Sequence, residues 1–381
     1  MKQLDAQFFS RLGSKIEHIQ KSEVKVIRLD VGSPDLPPAP FIIDVLARSA
    51  TLPGHHGYQS HRGPQSLRRA WAMLYQREFG VEIDPEREVI PLLGSKEGIF
   101  HTINAFIEPG DTVLVPDPGY LTYEMATRFA GGEIYRLPLL PENHYLPDLE
   151  SIPVEIVKRA KLLWLNYPNN PTTAVAPLTY LEKAITFAQQ HNILLCHDAA
   201  YSLVTFDGYK APSILQSEGA KEVAIEFNSL SKSHNMAGWR IGAALGNPQA
   251  LKVLYTLKTQ ADSGHFLPIL EAATIAMTGD QSWLEMRNDI YRQRRDLVIE
   301  WLHRMGLMAE IPKASLYVWC PLPTGWSSDH FAERLLDETA ISVTPGTVFG
   351  KYGEGYIRIA LTVPQDELNE AMEKIFRWLF R

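Results

Sequence analysis

Short, almost continuously apolar runs recur along the chain between stretches of helical period, and that alternation sets the expected fold. Val89–Leu93, Thr112–Pro116, Lys161–Asn166, Asn192–Asp198, Val223–Phe227 and Arg240–Gly246 read as strands with no clear in–out alternation. Strands covered on both faces look like this. Between them, Leu67, Trp71 and Leu74 form one helical stripe, and Ile99, Thr102, Ile103 and Phe106 another. Strands separated by helices build βαβ units, so a mostly parallel sheet flanked by helices is expected. From Trp283 to Met305 a long helix is expected, with Leu284, Ile290, Leu297, Val298, Trp301 and Leu302 on its buried side. Strands should follow at Ser315–Pro321, Ile341–Thr344 and Tyr356–Leu361, closed by a helix carrying Leu368, Met372, Ile375, Phe376 and Leu379. At the other end, Phe8, Phe9, Leu12 and Ile16 have helical spacing and Val24–Leu29 is strand-like. The linker Gly32–Pro38 that follows is too rich in proline to be helical.

Composition narrows the class. With 381 residues the chain exceeds one small core and should form about two domains. Its 45% hydrophobic and 21% charged residues fit a globular protein, and a net charge of −7 argues against nucleic acid as the main partner. No run has the length of a membrane span, and Met1–Asp5 opens no secretory apolar segment. Cys196 and Cys320 are too few for a disulfide framework. A cytoplasmic enzyme is expected, with no metal and no membrane partner.

The chemistry concentrates in Ser229-Leu-Ser-Lys232-Ser-His-Asn-Met-Ala-Gly-Trp-Arg240-Ile-Gly242. Small residues let a ligand approach the backbone. Ser229 and Ser231 offer hydroxyls, Arg240 a fork suited to phosphate, and Lys232 an amine that can hold an aldehyde. Val89–Leu93 ends in Gly94-Ser95-Lys96-Glu97-Gly98 ahead of a helix, an arrangement that points free N–H groups at an anion. Asp198 ends another apolar run, where a buried carboxylate needs a partner. Neither the P-loop spacing nor a dinucleotide glycine motif is present.

The lysine stretch resembles the cofactor-lysine motif of the class I/II aminotransferases of fold type I, and the other parts of that family's signature follow in order. They are Gly32-Ser-Pro-Asp35, Tyr58-x(4)-Gly63, Asp117-Pro-Gly-Tyr120, Asn166-Tyr-Pro-Asn-Asn170-Pro-Thr172, Asp198-x-x-Tyr201, and Pro345-Gly-x-x-Phe349-Gly ahead of Arg358. Thr173 stands where many relatives have glycine. The resemblance implies an α/β fold type I transferase. Its large pyridoxal-phosphate domain would span 46–285, with 286–381 forming a small domain and 1–45 an N-terminal arm joining it.

The resemblance also implies roles. Lys232 would be the Schiff-base lysine and proton shuttle, Asp198 the partner of the pyridine nitrogen, and Tyr201 and Asn170 ligands of O3′. Tyr120 would stack on the ring, while Ser95, Lys96, Ser229 and Arg240 hold the phosphate. Tyr58 would reach the phosphate from the neighbouring subunit of a homodimer. Gly32 (through its backbone amide), Asn170 and Arg358 would bind the substrate carboxylate, Arg358 by two parallel bonds. The implied activity moves an amino group from an L-amino acid to 2-oxoglutarate or pyruvate in two half-reactions. The wording of the motifs is closest to the alanine and LL-diaminopimelate aminotransferases. A C–S lyase of the same fold would share these residues. So would a ligand sensor, although the chain begins too near its first motif to leave room for that sensor's DNA-binding domain.

Overall fold

The computed structural model describes residues 8–381; Met1–Asp5, the segment expected to open no secretory run, lies outside the described residues. In chain order the strands are β1 (Ile27–Arg28), β2 (Val89–Leu92), β3 (Thr112–Asp117), β4 (Glu133–Pro138), β5 (Ala160–Asn166) and β6 (Leu194–Asp198). They continue as β7 (Ala224–Ser229), β8 (Gly242–Gly246), β9 (Tyr317–Pro321), β10 (Ile341–Ser342), β11 (Thr344–Pro345) and β12 (Tyr356–Ala360).

Seven of them form one sheet in the order β2-β8-β7-β6-β5-β3-β4. Pairing is parallel from β7 through β4, while β8 runs antiparallel to both of its neighbours. Two reversals leave β2 pointing the same way as the parallel strands. Every residue of β2, β3, β7 and β8 is buried, which is why their runs show no alternation. The period of two survives in the choice of core. Leu163, Leu165 and Leu195 face the helix carrying Trp71 and Leu74, whereas Leu162, Trp164 and Cys196 face the one carrying Ile99 and Ile103.

A second core gathers Ile27, Leu29, Val298, Leu316, Val318, Phe331, Ile341, Ile359, Leu368 and Met372. Here β1 pairs with β10, and β11, β12 and β9 form an antiparallel sheet. Segments near both ends of the chain therefore share one interior.

Four features differ from the sequence reading. The polar edge strand β4 carries no apolar run and was not expected. The strand expected over Ile341–Thr344 is two short strands with different partners. β8 starts at Gly242 rather than Arg240, because Arg240 has a left-handed φ of 57° that no strand accommodates. The long helix spans Ser282–Arg304, but Ile290 is exposed, and the inward face carries Arg287, Tyr291, Arg294 and Arg295 beside Val298 and Leu302. Each arginine has an internal acceptor. Arg294, for example, holds Asp35 of the proline-rich linker at 2.8 and 2.9 Å, which fixes a segment with no secondary structure of its own.

Candidate active site

The carboxyl ends of β2, β5, β6 and β7 converge on one edge of the sheet, where open α/β sheets bind ligands. A cleft of about 430 Å³ opens there against the second core. Its lining includes Gly32, Ser95, Tyr120, Asn166, Asn170, Asp198, Tyr201, Lys232, Tyr317 and Arg358.

Asp198 closes β6 and is almost fully buried. Its Oδ2 accepts from Tyr123 Oη at 2.8 Å, and its Oδ1 has no side-chain partner among the described residues. Burial, against the opposing Tyr123 bond and nearby positive groups, pushes the carboxyl up to about 6. A cationic nitrogen in the cleft would complete that oxygen's bonding.

Lys232 sits in the one-turn helix Leu230–Ser233 that follows β7 directly, and its Nζ donates to the Gly32 carbonyl. Burial pulls its pKa below the ordinary value; Tyr317 and Asp198 oppose the shift, Arg358 and Arg240 reinforce it. A lysine lowered in this way is suited to act as a nucleophile and base.

Arg358 on β12 is buried without a carboxylate among the described residues. It donates to Asn170 Oδ1 at 2.8 Å and the Asp30 carbonyl at 2.9 Å, and its Nε has no acceptor among the described residues. Its guanidinium lies 4.1 Å from the Tyr317 ring centroid and 4.7 Å from that of Phe349. A fork presented between two rings, with an unused donor, suits an incoming carboxylate. Asn170 is itself held, since its N–H donates to Asn166 Oδ1 at 2.8 Å.

Not every expected residue lines this cleft. Ser229 is the N-cap of the lysine turn, its hydroxyl accepting from the Ser231 N–H at 3.2 Å. Arg240 lies beyond the cleft lining, exposed, with contacts among the described residues to the Ala237 and Leu93 carbonyls and to Ser231 Oγ. It packs on Gly94, where a side chain would collide with the guanidinium. Gly94 also caps the helix Ser95–Phe106, so Arg240, Ser231 and that helix's first N–H groups surround one small region. Lys96 points to solvent, leaving its backbone N–H in that first turn. Tyr58 is 94% exposed and is absent from the cleft of its own chain. Gly32 lines the cleft and meets Lys232 through its carbonyl oxygen.

Several residues around the cleft were not singled out from sequence. Tyr123 lies three residues after Tyr120, in the first turn of the helix Thr122–Ala130, and that spacing is a usable signal. Tyr317 shares a face of β9 with Trp319, alternating with Val318, and bonds Tyr201 Oη at 2.9 Å. Arg287 donates to the Lys232 and Ser233 carbonyls from a helix that carries no family motif. Glu97, His101 and Asp262 lie within metal-ligand spacing, but Lys258 Nζ already bridges the two carboxylates at 2.8–3.1 Å.

A family model described as aminotransferase class I and II matches residues 24–375. The LL-diaminopimelate aminotransferase of Moorella thermoacetica is 45% identical over 379 residues, covering 100% of this chain and 97% of that protein. Its counterpart in Desulforudis audaxviator is 46% identical over 375 residues, covering 98% and 96%. Among solved structures, substrate-bound BacF of Bacillus subtilis superposes with a TM-score of 0.95 at 38% identity, covering 99% of this chain and 96% of that one. A probable N-succinyldiaminopimelate aminotransferase of Thermus thermophilus gives 0.92 at 36%, covering 97% and 99%. The chain belongs to the class I and II aminotransferases of fold type I, pyridoxal-phosphate enzymes that move an amino group between an amino acid and a 2-oxo acid.

Proposed function

We propose that this enzyme transfers the amino group of an L-amino acid to 2-oxoglutarate or pyruvate, with LL-diaminopimelate the first donor to test because the relatives above carry that name. The observation that carries the site assignment is the buried Oδ1 of Asp198, without a partner among the described residues, on a side chain that lines the same cleft as Lys232. A phosphate-bearing pyridine aldehyde satisfies both groups.

Lys232 holds the cofactor's aldehyde carbon, Asp198 its ring nitrogen, Tyr201 and Asn170 its O3′, and Tyr120 one face of the ring. Ser95, the Lys96 N–H, Ser229 within the lysine turn, and Arg240 form the phosphate end. Arg358 and Asn170 bind the substrate carboxylate, with the Gly32 backbone beside them. When bound, pyridoxal phosphate supplies the electron sink. Lys232 Nζ takes the proton from the substrate Cα, which requires a neutral amine, and burial favours that form. Asp198 stays ionised opposite a cation and so keeps that nitrogen protonated.

In the same reading the large body is 46–285, and 286–381 with the arm 1–45 form the small one. Two copies pair in the cytoplasm so that the exposed Tyr58 of each completes the other's phosphate site. Among the described residues no helix is long and apolar enough to cross a membrane.

The test is borohydride reduction of the cofactor-loaded enzyme, followed by peptide mapping and a panel of amino donors with each acceptor. Label on Lys232 and acceptor-dependent keto-acid formation support the reading. Label on another lysine would end the site assignment, and pyruvate with ammonia from a thioether amino acid, without an acceptor, would make it a lyase.

A further inference from the structure

We propose that Tyr317 is a positioning residue for Tyr201: its hydroxyl donates into Tyr201 Oη, freeing the Tyr201 proton for the cofactor's O3′ and tying that bond to Arg358. This rests on the reading above.

Three contacts place Tyr317. Its Oη lies 2.9 Å from Tyr201 Oη, with the rings edge-on at 5.8 Å. The Arg358 guanidinium lies over its ring at 4.1 Å. On its far side a Cβ at Gly32 would fall 2.0 Å from the hydroxyl, so the close approach requires glycine at that position. The Gly32 carbonyl, acceptor for Lys232, is thereby held beside the phenol.

The polarity of the tyrosine pair follows from counting protons. Each phenol has one O–H and can also accept. With the Tyr201 proton committed to O3′, the Tyr201 oxygen must accept, and Tyr317 must donate. A donor into a phenol's oxygen polarises that phenol's own O–H and strengthens its bond onward. The titratable and charged groups around Tyr317 are Arg358, Lys232, Tyr201, Asp198 and Tyr120. Burial alone pushes the Tyr317 phenol up, but in the cofactor-free protein the Arg358 guanidinium, the Lys232 ammonium and the bond to Tyr201 hold it below the ordinary value; once Lys232 is engaged, the Arg358 guanidinium over the ring remains to favour Tyr317 as the donor. A strong donor at O3′ stabilises that oxygen as an anion, so the nitrogen joining the cofactor to Lys232 loses its proton at lower pH. Because Arg358 also receives the substrate carboxylate, its neutralisation changes the field on Tyr317, and through it the bond at O3′.

The experiment follows the pH titration of the cofactor's visible band in holoenzyme carrying Tyr317→Phe, Tyr201→Phe or both. Tyr317→Phe should raise the midpoint by about half a unit, the size expected for one weakened hydrogen bond, and add nothing once Tyr201 is phenylalanine. An unmoved midpoint, or the same shift in both backgrounds, overturns the proposal. Should Tyr317→Phe fail to fold or retain cofactor, 3-fluorotyrosine at position 317 keeps the packing and acidifies the donor. It should lower the midpoint, and no change would be equally fatal. A Lys232-linked band that ignores Tyr317 sinks this inference alone, whereas no cofactor on Lys232 sinks the functional reading.

Discussion

Consider Asp198→Asn, first in the cofactor-free protein. There the carboxyl is pushed from 3.8 to about 6, chiefly by burial, which outweighs the opposing Tyr123 and Ala200 bonds. A folded-state pKa above the unfolded one means that, between those values, the folded chain holds a proton the unfolded chain has lost. Stability therefore rises as pH falls from 6 towards 3.8, and above 6 the fold carries the whole penalty of the ionised group. Two units of displacement amount to about 3 kcal/mol. Asparagine does not ionise, and its carbonyl oxygen can still accept from Tyr123. The cofactor-free variant should thus be about 2–3 kcal/mol more stable than wild type above pH 6, and the two should converge as pH approaches 3.8. Urea unfolding of cofactor-stripped protein across that range measures the difference. Loading the cofactor should reverse the order. A carboxylate–pyridinium pair at 4 Å gains about 4 kcal/mol at an effective dielectric of 20, so the variant should bind the cofactor less tightly and lose a hundred- to a thousandfold in kcat. If the stripped variant is no more stable than wild type above pH 6, or its advantage does not change with pH, the assigned origin of the strain is wrong.

Arg358→Lys should raise KM for amino and keto acid alike by ten- to a hundredfold with a much smaller change in kcat, since a point charge replaces the fork; an unchanged KM would move the clamp elsewhere. Thr173 holds a left-handed φ of 62°, which costs a β-branched residue roughly 1–2 kcal/mol, so Thr173→Gly should stabilise the fold by about 1 kcal/mol in denaturant titration after glycine's own entropy cost. Destabilisation by that change would show that the Thr173 side chain contributes more than its backbone strain removes. For Tyr58, purified mixed dimers of Tyr58→Ala and Lys232→Ala subunits should recover about half of wild-type activity, because one site collects both defects. Recovery no better than the mean of the two parents would place Tyr58 in its own chain's function.

What was legible from sequence was whatever one stretch of chain could encode. The strands that carry the site are legible in apolar runs, Asp198, Asn170 and Lys232 in short motifs at or just past strand ends, and Arg358 in its place after the Pro345–Gly350 motif; the structure brings all four to one cleft. What escaped depends on residues that are distant in the chain. Tyr123 and Asp198 lie 75 positions apart, and nothing local tells a tyrosine that its hydroxyl will meet a carboxylate. A close approach of the Gly32 backbone to a ligand is legible in its motif, but the second demand for glycine there, the Tyr317 hydroxyl 285 positions away, is not. The long helix misled for a different reason. An apolar count seeks leucine and isoleucine, so it placed Ile290 inside, while the buried face holds three arginines with specific acceptors. Guanidinium groups are indistinguishable from solvated ones until the carbonyls and carboxylates opposite them are known.

Those arginines explain how a lysine on a single helical turn is held in place. Leu230–Ser233 is too short to be stable by its own hydrogen bonds, and its last carbonyls have no intrahelical partner. Arg287 supplies the donors: its fork meets the Lys232 carbonyl at 3.0 Å, Ser233 at 2.7 Å and Leu203 at 3.3 Å. No carboxylate among the described residues balances it, and burial lowers its pKa to about 10. What offsets the buried charge is the negative end of the lysine turn together with the rings of Trp283 and Tyr291. A lysine at 287 would bring three donors on one point and could not span carbonyls from two segments in one plane. Two turns further along the same helix, Arg294 holds Asp35 and so the linker whose Gly32 carbonyl receives Lys232 Nζ. The backbone of Lys232 and the acceptor of its amine are thus referenced to one helix.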